Sequence, residues 1–85
     1  MPEISNFYGI RITMNYNEHN PPHFHAMYQG YEIIFEIKSG IVKGTMPKRA
    51  LKMIFEWAEL HKDELLNDWE LAVLRKSLVK IEPLA

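Results

Sequence analysis

Apolar and polar positions alternate from Phe7 to Tyr16, where Tyr8, Ile10, Ile12, Met14 and Tyr16 interleave with Gly9, Arg11, Thr13 and Asn15. A period of two is the mark of a strand with one face buried. The alternation stops at Asn17-Glu18-His19-Asn20-Pro21-Pro22, because asparagine favours turns and each proline fixes its own φ and restricts the residue before it. This stretch therefore reads as a stiff loop.

A second period-two run covers His23 to Tyr28, with Phe24, Ala26 and Tyr28 on one side and His23, His25 and Met27 on the other. Gln29-Gly30 reads as a two-residue turn into a third run, Tyr31 to Lys38, rich in the β-branched and aromatic residues that strands prefer. Such a turn fixes the register, since residues directly opposite in an antiparallel pair share a face. Tyr28 then meets Tyr31, Ala26 meets Ile33 and Phe24 meets Phe35 on the core face. The other face pairs Met27 with Glu32, His25 with Ile34 and His23 with Glu36, and sets Glu32 diagonally near His25. Ser39-Gly40 reads as another tight turn, followed by a short strand from Ile41 to Lys43 that places Lys43 opposite Glu36.

After Gly44 the period changes. Leu51, Ile54, Phe55, Ala58 and Leu65 recur at spacings of three and four, which predicts an amphipathic helix from Pro47 to about Leu66 with Thr45 as its cap. Asn67 with Glu70 three positions on has the form of a capping box and predicts a second helix from about Asp68 to Ser77. The segment Leu78 to Leu84 alternates again and fits either an edge strand or a chain lying along the core. The expected fold is α+β: an antiparallel β-meander of three to four strands, then two helices and a short C-terminal extended segment, in a single domain over residues 1–85.

Composition narrows the function classes. Apolar residues make up 47% and charged residues 25%, so the chain can bury a core and is outside the disordered range. Lys plus Arg number 10 against 11 for Asp plus Glu, so no global field draws it to nucleic acid or acidic lipid, and any such binding must be local. The absence of cysteine excludes disulfides, thiolate zinc sites and a catalytic thiol. No apolar stretch is long enough to span a bilayer and the start has no signal-peptide pattern, so the expected location is cytoplasmic, without a membrane anchor.

Three of the four histidines, His19, His23 and His25, fall within seven residues around the Pro-Pro turn. Imidazole is both a common metal ligand and the side chain best suited to acid–base work near neutral pH. As a metal site, His23 and His25 supply a His-x-His pair on one strand face, completed by His19, Glu32 or Glu36, and such N/O donors suit zinc, iron or nickel. As a metal-free site, one histidine serves as base and another as acid, while Lys43 and Arg49 hold a phosphate, as in a metal-independent ribonuclease acting on RNA. The bland alternatives are histidines paired with carboxylates on an exposed face, or a loop that docks a protein partner. His61, in register with the helix stripe, reads as structural, and Trp57 and Trp69 as core or interface anchors, with Trp57 only partly covered.

The opening residues up to Phe7-Tyr8-Gly9-Ile10, the run His19-Asn20-Pro21-Pro22-His23-Phe24-His25-Ala26, the piece Glu56-Trp57-Ala58-Glu59-Leu60-His61 and the ending Lys80-Ile81-Glu82-Pro83-Leu84 resemble a widespread bacterial family of small proteins named only as a domain of unknown function. Members are often encoded beside a second small uncharacterised protein, an arrangement similar to toxin–antitoxin operons. The resemblance implies that this chain is one half of such a pair, with that small protein as partner; the expectation adopted is the toxin-type half, with His19, His23, His25, Glu32 and Glu36 as its working face. The resemblance itself assigns no role to any residue.

Overall fold

The computed structural model describes residues 2–85. Five strands, β1 (Glu3–Phe7), β2 (Ile10–Thr13), β3 (His23–Tyr28), β4 (Tyr31–Glu36) and β5 (Val42–Gly44), form one antiparallel sheet in sequence order. Two helices follow, α1 (Lys48–Leu60) and α2 (Lys62–Val73). The α+β layout is as expected, but the meander has five strands rather than three to four.

The extra strand comes from the first period-two run, which is not one strand. Tyr8 and Gly9 form a turn between β1 and β2, with φ of 51° and 80°, and Phe7 pairs with Ile10 across it. Both central residues at positive φ is the arrangement whose twist matches a two-residue hairpin. Tyr8 is exposed at the tip, not part of the buried stripe. A register shift between Glu3 and Ser5 breaks the alternation of β1 and hides the strand from a pattern search.

The β3–β4 hairpin has the expected register throughout, from His23 opposite Glu36 to Tyr28 opposite Tyr31. Its turn is Gln29-Gly30, again with both φ values positive. The next connection is longer than expected: Glu36 N–H donates to Ile41 O at 2.9 Å and Gly40 N–H to Glu36 O at 2.8 Å, so Ile37 to Gly40 form a four-residue loop in place of a two-residue turn. Lys43 is consequently opposite Ile34 rather than Glu36.

Phe24, Phe35, Ile12, Ala26 and Ile33 form the buried sheet face, and α1 lays Ala50, Ile54, Trp57 and Ala58 upon it. Phe24 stacks on Phe35 with centroids 4.9 Å apart and meets Trp57 edge-on at 5.7 Å. Trp57 is fully buried, not partly covered, because its indole N–H donates to Glu82 O at 2.8 Å, which satisfies the ring's one polar atom.

The helix boundaries differ from the sequence expectation. Pro47, not Thr45, occupies the N-cap position of α1, with no side-chain cap. The break between helices falls at His61 (φ −119°, ψ 25°), and Asn67 and Glu70 lie inside α2 rather than at its start. The His61 Nδ1 lies 2.6 Å from Glu64 Oε1, and its ring packs on Trp57. That hydrogen bond offers the turn a local alternative to helix continuation, which no apolar spacing reveals.

At the far end of α2, Lys76 N–H donates to Leu71 O and Arg75 N–H to Ala72 O, with Arg75 at φ 57°. This is a Schellman closure with a non-glycine residue in the left-handed position. The segment beyond it adds no strand; it lies along the core, fixed by Ile81 N–H donating to Ile4 O at 2.8 Å and by buried Ile81. Among the described residues no helix is long and apolar enough to cross a membrane.

Gly44 closes the sheet edge at φ 108°, where an added Cβ would lie 2.6 Å from Glu32 O. Both the backbone geometry and that contact oppose a side chain. Gly44→Ala is expected to cost about 2 kcal/mol, read as a lower urea midpoint with unchanged slope.

Candidate metal centre

The face of the sheet opposite Phe24 carries a row of side chains across four strands: Thr13, His25, Ile34 and Lys43 are successive cross-strand neighbours. His23 and Glu36 form the adjacent pair and Met27 and Glu32 the pair beyond. Strand alternation alone puts both imidazoles here, since Phe24 between them is held in the core. His25 is nonetheless buried, at 8% exposure, because the loop between β2 and β3 folds back over it.

That loop brings in Glu18, which sequence reasoning did not single out. Its Oε1 lies 2.8 Å from His25 Nε2 and its Oε2 lies 3.6 Å from His23 Nε2. Asn15 Nδ2–H donates to the same Oε1 at 2.8 Å and holds the carboxylate in place. The Asn15 bond, the His25 contact and the charges of the two imidazoles hold the Glu18 carboxyl below its ordinary value, against the opposing effect of burial. The one signal in the sequence was an acidic residue inside a proline-stiffened loop flanked by histidines; its direction depends on a chain reversal that spacing does not encode.

The second nitrogen of each ring is also held. His23 Nδ1–H donates to Pro21 O at 2.8 Å, which turns Nε2 toward Glu18. His25 Nδ1 lies 3.3 Å from Glu32 Oε2, the diagonal contact expected from the hairpin register. His23 and His25 meet edge-on at 5.5 Å, and His23 packs on Trp69 of α2 at 5.1 Å. Arg75, at the end of α2, donates to Asn17 Oδ1 at 2.7 Å. The loop that carries Glu18 is thus tied to the last helix.

One ligand atom from each of Glu18, His23 and His25 lies within 4.8 Å of the others. Ligand bonds of about 2.0–2.2 Å around a tetrahedral ion place donors roughly 3.3–3.5 Å apart. Glu18 reaches the two rings through different oxygens: Oε2 to His23 Nε2, at 3.6 Å, is close to that spacing, whereas Oε1 to His25 Nε2, at 2.8 Å, is a hydrogen-bond distance. Two imidazoles and one carboxylate fit zinc or iron with positions left for further ligands. A backbone carbonyl behind one histidine and a carboxylate behind the other is the outer-shell support that metal-bound imidazoles receive.

The remaining residues proposed from sequence fall in different places. His19 is exposed and lines a hollow of about 210 Å³ beside the centre, together with His23, Glu36 and Lys43. It is outside the donor triangle. Glu36 accepts a hydrogen bond from Ser39 Oγ at 2.9 Å and pairs with Lys43 Nζ at 3.7 Å, so it too stands outside the triangle. Glu32 contacts His25 from behind. Arg49 is exposed in the first turn of α1 and does not join Lys43 in lining the hollow.

Because the Glu18 carboxyl titrates lower folded than unfolded, its pairing adds stability that is complete above the ordinary carboxylate range and lost as pH falls through the lowered value. Glu18→Gln is expected to lower stability by on the order of 1 kcal/mol at neutral pH, with the gap to the wild type closing in acid. Urea unfolding across pH measures it.

Residues 9–70 match the family described as "Domain of unknown function (DUF4160)", and the chain belongs to that family. No curated protein and no solved structure matches the chain.

Proposed function

We propose that this member of the DUF4160 family is a divalent-cation-binding protein in which His23, His25 and Glu18 hold zinc, iron or nickel. One observation carries the reading: two imidazoles of β3 and the Glu18 carboxylate from the preceding loop converge, and the far nitrogen of each imidazole is already engaged by Pro21 O or Glu32. Without a cation, His25 satisfies both carboxylate contacts only by carrying two N–H groups. A cation on the Nε2 side lets neutral imidazoles keep their Nδ1 partners. The open positions would face the hollow, where His19 can serve as a further ligand and Lys43 can meet an anionic group.

Titrating zinc, iron(II) and nickel into protein purified without a histidine tag, followed by elemental analysis, tests this. The expected result is one ion per chain. His23→Ala and Glu18→Ala should lose it, and Glu32→Gln should weaken it by roughly 10–100-fold. An ion-free wild type, or variants that bind as well as the wild type, refutes the assignment.

A second reading follows from Lys43 and His19 lining the same hollow as His23: a metal-independent ribonuclease, the toxin-type half of a toxin–antitoxin-like pair whose partner is encoded beside it. Expression without that partner is then expected to arrest growth, and His23→Ala or His25→Ala to relieve the arrest. RNA cleavage that survives chelation favours this reading over the metal one. Full toxicity in both variants removes the histidines from this mechanism.

A further inference from the structure

We infer that the hollow between α2 and the C-terminal segment binds an ammonium group on an aliphatic stem, with Asp68 as its counter-ion. Among the described residues Asp68 is the one buried carboxylate, at 1% exposure. Its Oδ1 accepts the Val79 N–H at 2.9 Å, while Oδ2 is buried without a hydrogen-bond partner. An unpaired carboxylate oxygen in the interior is costly. Asp68 lines a hollow of about 280 Å³ together with Asp63, Glu64, Val79 and Ile81.

The lining selects the ligand. Val79 and Ile81 make an apolar wall, and Asp63 and Glu64 set negative charge at the rim. A compact positive charge on an apolar stem matches both at once. A guanidinium engages a carboxylate best through both oxygens, and here Oδ1 is already taken by Val79. Divalent metal is disfavoured by spacing. Among the described residues the group of metal-type donors that converges is Glu18, His23 and His25, not the carboxylates of this hollow. Burial, with a smaller contribution from Glu64, pushes the Asp68 carboxyl above its ordinary value, against the Val79 bond, and a cation seated on Oδ2 would reverse that effect. The hollow is comfortably larger than n-butylammonium and suits either a free alkylamine or the lysine side chain of a partner.

The test is a titration of the full chain with n-butylammonium at constant ionic strength, followed through the Val79 amide and the Asp68 carboxyl carbon by NMR. Saturable shifts at both positions are expected, with n-butanol binding at least about tenfold more weakly. Asp68→Asn, checked for fold by circular dichroism, should abolish the response, and Glu64→Gln should weaken it severalfold while zinc binding at His23 is unchanged. Equal responses to butanol and butylammonium overturn the proposal, as does no saturation or full binding by Asp68→Asn. If that variant does not fold, the butylammonium–butanol comparison on the wild type decides alone. A lysine-containing peptide compared with 1,4-diaminobutane then identifies the source, the tighter ligand naming it.

Discussion

Burial of Phe24 is the constraint from which the rest of the architecture follows. Its ring is enclosed by Phe35 and Trp57, and a strand residue held that firmly leaves its two neighbours no choice of face. A slip of one residue would bury both histidines among aromatic rings and expose Phe24, so hydrophobic packing alone specifies the orientation of the polar face. The candidate metal centre is in this sense a by-product of core formation: the free energy that aligns His23 and His25 comes from apolar surface removed from water, not from the histidines.

The polar face gains what alternation cannot supply from the loop between β2 and β3. Glu18 is anchored by Asn15 within the loop, and Asn17 is anchored by Arg75 from outside it. A carboxylate brought to two imidazoles by a loop, with a helix bracing that loop, joins rigid donors on a strand to one adjustable donor. Rigid elements hold a site more precisely than loops do. Here the strand sets the separation of the imidazoles, and the loop sets how closely the carboxylate closes on them.

What the sequence made legible follows the same division. The β3–β4 hairpin was readable to the residue pair because Gln29-Gly30 marks the turn and the flanking alternation is unbroken, and this predicted the Glu32–His25 contact. The β1–β2 hairpin was not, since Gly9 falls on a polar position of an alternating run and the irregularity at Ile4 erases the pattern before it. The helix break at His61 was hidden because the apolar spacing continues through it, while a single side-chain hydrogen bond to Glu64 redirects the chain. Lys43 moved by two residues along β4, from Glu36 to Ile34, because the loop closed by the Glu36–Ile41 pair holds four residues and not two. Glu18 escaped notice for a different reason: its role depends on a loop fold stabilised by a residue 58 positions away from Asn17.

That separation has a consequence for the order in which the molecule assembles. The strands and the His-Phe-His segment can pair as soon as the first half of the chain has left the ribosome, because their contacts are local in sequence. Trp69 and Arg75, which press on His23 and hold Asn17, are synthesised much later. A nascent chain therefore passes through an interval in which the two imidazoles are aligned but the loop bearing Glu18 lacks its brace. The three-sided pocket becomes complete only when the last helix docks, which makes it a late event in the maturation of this fold.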